Sequence, residues 1–225
     1  MISSVMDNER DHTIGLISRY WAFSTGNPDI LHNTMTLSTM VDGDTGPQQP
    51  HVASRPPTLF RIIQGAGSVR IFIAAIAYHL NDYLGTDGFV EVSLLRNTWQ
   101  IAVQGSHPIY SELLRAHRDS VSLWTSIFSL LRRVVTNADE RPREDFTPDF
   151  IGIVLPLTHH TANTIHHAHS MGSLKDCTDL IERWVAADLF GTLDVVIPFC
   201  ASVPLNCLST RLPFFISKLL TLWRC

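Results

Sequence analysis

Apolar residues recur at helical spacing along most of the chain. The cleanest run is Val121, Trp124, Ile127, Phe128, Leu131, Val134 and Val135, which keeps an i, i+3, i+4 rhythm while Arg132 and Arg133 fall outside the stripe. Leu174, Cys177, Leu180, Ile181, Trp184 and Val185 form a second stripe, opened by Ser173-Leu174-Lys175-Asp176, a capping box with Asp for the usual Glu or Gln. Shorter patterns predict a helix over 11–24, with Ile14, Ile17, Tyr20 and Trp21 on one side. Another starts at Asn27-Pro28-Asp29, with Ile30, Leu31, Thr34 and Leu37 inward. Ser106-His107-Pro108 opens a helix with Ile109, Leu113 and Ala116 on one face, and Asp119 or Ser120 caps the next. Thr147-Pro148-Asp149 repeats the cap, proline and carboxylate start; its helix runs towards Ser170 with a kink at Pro156.

Breakers divide these runs. Gly43, Gly46, Pro47, Pro50, Pro56 and Pro57 make 42–57 a linker between short N-terminal helices (1–41) and a main helical domain (58–203). Gly65 and Gly67 break the apolar stretch Thr58–Leu84 near its start, Gly85 and Gly88 end it, and 137–145 is a charged loop. Seven or more helices, few alternating strands and no fixed repeat period predict an all-α fold: an irregular array of amphipathic helices, armadillo-like or solenoid-like. Trp99, Trp124 and Trp184 sit at packing positions without a common repeat spacing.

Composition narrows the function classes. The 225 residues are 45% hydrophobic and 17% charged, with a net charge of −4, so no basic surface points to nucleic acid. Cys177, Cys200, Cys207 and Cys225 are spaced for neither a C-x2-C zinc site nor a small disulfide framework, and the N-terminus has no secretory pattern. A cytoplasmic or nuclear protein is therefore expected. Residues 204–225 form an apolar segment, but Pro198, Pro204, Asn206, Arg211 and Pro213 interrupt the C-terminal stretch, and no membrane contact is expected of it.

Two patterns carry candidate chemistry. Gly65-Ala66-Gly67-Ser68-Val69-Arg70 follows Leu59–Ile63, readable as a strand, and precedes Ile71–Leu80, readable as a helix. Such a turn brings backbone close to a pyrophosphate, and Phe89-Val90-Glu91-Val92 would supply a second strand with a ribose-binding acid. Arg70 stands where the third glycine belongs, and the alternative is a glycine bend between two helices. Five of the eleven histidines lie between His159 and His169. On a helical wheel Ile151, Val154, Leu155, Thr158, Ala162, Ile165 and His169 share one stripe, His159 and His166 flank it, and His160 and His167 point away. Only His166 and His169 could chelate together, and no carboxylate one turn away completes the set. The alternatives are solvated or core-edge imidazoles, or a pH-responsive surface. Cys177 lies on an apolar stripe, where a thiol is inert packing. No cofactor is expected. Arg132-Arg133 with Arg141 and Arg143 offer a site for an anionic partner as the alternative, but Glu140, Glu144 and Asp145 interleave them, so that region reads as a solvated loop of mixed charge.

Asp82-Tyr83-Leu84-Gly85-Thr86-Asp87-Gly88-Phe89, Trp99-Gln100-Ile101-Ala102-Val103, and Leu180–Val185 with Gly191 resemble the helical region of fungal, mushroom-type proteins that carry a MYND zinc finger near the C-terminus. The resemblance spans Thr58–Leu193. It implies a helical scaffold or interaction module with a protein partner, and it transfers no site residue. A MYND finger needs about eight closely spaced Cys and His ligands, and the finger itself is absent. From about Leu205 the chain changes character, which reads as a truncated or alternatively spliced end. The expectation is a non-enzymatic scaffold; the alternatives are a nucleotide-dependent enzyme at Gly65–Gly67 and a metal site near His166 and His169.

Overall fold

A computed structural model describes residues 12–24, 30–43, 58–82, 89–139, 150–171 and 174–202. The expected caps at Asn27-Pro28-Asp29, Thr147-Pro148-Asp149 and Ser173 and the segment 204–225 lie outside these residues, as does 140–145 of the expected charged loop, whose first residues, 137–139, instead continue the helix that ends at Asp139. Ten α-helices occur among the described residues, with no strand: α1 (Thr13–Phe23), α2 (Ile30–Gly43), α3 (Thr58–Ala66), α4 (Val69–Asp82), α5 (Phe89–Gln104), α6 (Pro108–Asp119), α7 (Val121–Asp139), α8 (Leu155–Met171), α9 (Leu174–Ala186) and α10 (Leu189–Ser202). The fold is an all-α helical array, as the patterning predicts.

Local chemistry sets most visible helix ends. His107 precedes α6 in extended conformation, its Nδ1 accepts the Ile109 N–H at 3.3 Å, and Pro108 occupies the first turn without a donor to lose. Ser120 rather than Asp119 caps α7, its Oγ accepting the Leu123 N–H at 3.2 Å. Gly67, at φ 108°, turns the chain by 83° between α3 and α4. Ser68 Oγ then accepts the Ile71 N–H. A π-helical turn, Phe150–Val154, precedes α8. Pro156 has no N–H to return to the preceding turn, so the expected kink is a change of helix type just before it.

The helices follow an order of packing that no sequence period announces. Besides neighbours along the chain, α1 packs on α4, α4 on α7 and α7 on α10; α2 packs on α5 and α5 on α8; α6 packs on α9. Those six contacts each join a helix to the third one after it, while α1 on α3, α4 on α6 and α7 on α9 join helices two apart, the α1–α3 contact being the most extensive. The helices of the first row begin at Thr13, Val69, Val121 and Leu189, at intervals of 56, 52 and 68 residues. Their unequal connections hide the regularity from any fixed-period search. One continuous core runs through the array, from Ile14 and Trp21 through Phe72 and Trp124 to Trp184 and Phe199.

Several expected faces shift. On α1 the buried row is Ile14, Ser18 and Trp21, while Tyr20 is exposed. Ser18 is inward because its hydroxyl donates to the Ile62 carbonyl of α3 at 2.5 Å. α2 continues to Gly43, two residues into the stretch expected as linker, and residues 44–57 lie outside the described ones. On α7 the stripe holds except that Val121, in its first turn, is exposed. On α9 only Cys177, Leu180 and Trp184 are buried; Leu174, Ile181 and Val185 face outward because α6, α7, α8 and α10 cover one side of the helix. α8 is buried nearly all round, since its Thr and Ala side chains let α5, α9 and the π turn approach closely.

Candidate functional site

A cleft of about 260 Å3 opens where α5, α6, α8 and α9 meet. Trp99 of α5 forms its wall. Leu114, Arg115 and Arg118 project from α6, His167 from α8 and Asp176 from α9. Their placement follows from helix geometry: Leu114 and Arg118 stand one turn apart, and the stacking of α9 on α6 brings Asp176 across to them. Arg118 is fixed from two sides, by Asp176 through Nη1 at 2.6 Å and by Asp119 through Nε at 3.2 Å. Asp119 also receives Arg183 at 3.4 Å. Arg115 is exposed on the same rim.

These cations shape the neighbouring imidazole. Burial lowers the His167 pKa, and His166 and Arg118 lower it further, so the ring is neutral at pH 7. It stands edge-on to Trp99, with centroids 6.1 Å apart. The cleft thus offers an aromatic face, one guanidinium with no carboxylate bonded to it among the described residues, one guanidinium held rigid and a neutral imidazole. That set suits a segment with an apolar body and an acidic group.

Behind Trp99 lies a second histidine cluster that the cleft does not reach. His117 of α6 and His160 of α8 are fully buried, with their Nε2 atoms 2.8 Å apart. Trp99, Trp124 and His117 all contact the His160 ring, and Trp124 packs on Trp184 at 5.0 Å. One Nε2 must donate and the other accept, so both rings are neutral and of opposite tautomer. Neither Nδ1 has a partner among the described residues. Burial pushes His117 down to about 3. It pushes His160 well below its ordinary value as well, helped by His117, Arg96 and His159.

The sequence candidates fall elsewhere. Leu59–Ile63 and Phe89–Val92 are helical, not strands, so Gly65-Ala66-Gly67 is a bend between α3 and α4 and lacks the strand that presents a pyrophosphate loop. Gly65 serves packing instead: a Cβ there would come within 2.6 Å of the Gly15 backbone, the point where α1 and α3 cross. His166 and His169 are both exposed, and no cluster of three or more metal-ligating side chains occurs among the described residues. His160, expected to point away from the buried stripe, is in the core; a single-stripe reading fails for a helix enclosed on several sides. Cys177 is buried, and burial followed by Asp176 raises its thiol pKa, consistent with inert packing.

Sequence reasoning missed Trp99, Arg115, Arg118 and His167 as a group because four helices contribute the cleft. His117 did carry a signal, since Tyr110, Leu113 and His117 keep inward helical spacing. The chain matches no protein-family model, no curated protein and no solved structure.

Proposed function

We propose that the chain is a non-enzymatic, armadillo-like helical interaction domain that takes a protein partner in the cleft between α6 and α9. The observation that carries this reading is that α1, α2, α4, α5, α6 and α7 each pack on the third helix after them. It divides the array into three-helix units, and such stacking generates an extended surface with grooves between units. The cleft lies where α6 of one unit meets α9 of the next, and aromatic and guanidinium side chains on its wall are the residue types that dominate protein recognition. Kinship with the helical region of fungal MYND-type proteins, and work in the cytoplasm or nucleus, belong to the same proposal. No single described helix is long and apolar enough to cross a membrane.

Affinity capture from source-cell lysate, compared between the unaltered chain and Trp99→Ala or Arg115→Glu variants, tests the reading. Proteins retained by the unaltered chain and by an Arg70→Glu control on α4 are expected to be lost from both cleft variants. Truncating an aromatic anchor of this kind costs about 2 kcal/mol, more than ten-fold in affinity. An identical captured set from all four baits overturns the assignment.

A further inference from the structure

The outer side of α9 carries Leu174, Ile181 and Val185 at exposures of 80%, 36% and 45%. With Thr178 they fall at i, i+4, i+7 and i+11, inside a narrow arc of the helix, beside the row that buries Cys177, Leu180 and Trp184. A helical row of three exposed apolar residues bridged by Thr178, whose hydroxyl is turned back onto the Leu174 carbonyl, is a docking face rather than scattered exposure. We propose that it is covered by residues 212–223 of this same chain.

Three observations select that occupant. The first is reach. The row is about 16 Å long, eleven residues of helix at 1.5 Å each. The chain beyond Ser202, where α10 ends, contains 23 more residues, enough to come alongside α9 whatever the angle at the α9–α10 corner. The second is pattern. Leu212, Phe215, Leu219 and Leu222 are spaced by three, four and three residues, the partner spacing to the four, three and four of α9, so knobs on one seam meet holes on the other. Pro213 stands at the start of that pattern, where a proline is tolerated in a first helical turn. The third is charge. The segment beyond Ser202 contains Arg211, Lys218 and Arg224 and no acidic side chain, so its cations can face Glu182, the acid that flanks the α9 row, with Lys175 on the same flank and Asp179 and Arg183 farther round.

The test uses the full chain, with p-benzoylphenylalanine in place of Val185, an exposed residue whose replacement leaves the core intact. A second protein carries the same group in place of Leu16, exposed on α1. After irradiation, peptide mapping of the monomer is expected to find position 185 joined to residues 208–225 and position 16 joined to none of them. In a parallel measurement, Leu219→Ser with Leu222→Ser in the full chain uncovers the row. Binding of anilinonaphthalene sulfonate then rises several-fold with the helical circular dichroism unchanged. Adducts joining two copies, or no adduct to the segment, overturn the proposal. So does co-sedimentation of the unaltered chain with phosphatidylserine vesicles through Lys218 and Arg224, which would assign the basic apolar segment to a lipid surface.

Discussion

In the first half of the chain, His79 of α4 lies beside Trp21 with ring centroids 5.1 Å apart, and its Nε2 is 3.0 Å from the Trp21 carbonyl. In the second half, His117 lies beside Trp124 at the same 5.1 Å, but its Nε2 meets the imidazole of His160. The separation is alike, though the first pair is tilted and the second edge-on, and the polar partner differs. A carbonyl accepts at every pH, so Nε2 of His79 has a permanent acceptor. A second imidazole accepts only while neutral, and two buried imidazolium ions would repel each other with no carboxylate bonded to either among the described residues. The same residue type is therefore a fixed rivet in one half and an acid-sensitive joint in the other.

The largest expected effect contrasts two glycines in the first half. Gly65→Ala drives a methyl group into the Gly15 backbone and should cost about 3 kcal/mol, whereas the methyl of Gly15→Ala meets only Gly65 Cα at 3.9 Å and should change stability by less than about 1 kcal/mol. Urea denaturation of both variants checks the asymmetry. Equal losses would break the account of that crossing.

Acid sharpens the contrast between the halves. His117 keeps a folded pKa near 3 against about 6.5 unfolded, so below pH 6.5 the unfolded chain binds a proton that the folded chain does not. Stability is fully present above pH 6.5 and falls as pH drops towards 3. His117 alone accounts for about 2 kcal/mol between pH 7 and pH 5. His160 acts in the same direction, with Arg96 and His159 as its charged or titratable neighbours, and Arg118 and His166 act likewise on the half-buried His167. Replacing both His117 and His160 with Leu should flatten the pH dependence seen in denaturation curves. Replacing His79 with Leu should leave it in place.

A smaller effect belongs to the seam between the halves. Arg133 of α7 donates to the Leu80 and Asn81 carbonyls at 3.1 and 3.0 Å, closing the C-terminal end of α4. Arg133→Ala should cost about 1 kcal/mol, read as a shift in denaturation midpoint. The neighbouring Arg132 pairs with Asp188 at the exposed α9–α10 corner. Arg132→Ala should cost no more than about 0.5 kcal/mol and vanish into high salt.

How much of this was legible depends on how many neighbours a helix has. α7 was readable almost residue by residue, because one broad side packs inward and Trp124, Ile127, Phe128, Leu131 and Val135 mark it. α9 stands at the edge of the array, so half of its apolar stripe is uncovered among the described residues. α8 is covered on several sides, so Thr161 and Thr164, off the predicted stripe, are inside; with Thr158 they satisfy their hydroxyls on carbonyls of their own helix and pack like small apolar groups. The cleft and the histidine pair were not legible for a different reason. His117 and His160 are 43 residues apart, and their meeting depends on helix stacking that no local spacing encodes.

Packing on the third helix onward also sets a clock for synthesis. α1 meets α3 first and α4 only 56 residues after its own start, while α7, which has α4 to pack on as it is made, waits 68 residues for α10. At about 5–20 residues per second on the ribosome, those delays last roughly 3–14 s. A nascent chain therefore exposes a greasy helix for seconds at a time, longest near the end. That interval leaves the side of α7 that faces α10, with Phe128 and Leu131, as a surface a chaperone would shield while the chain is still being made.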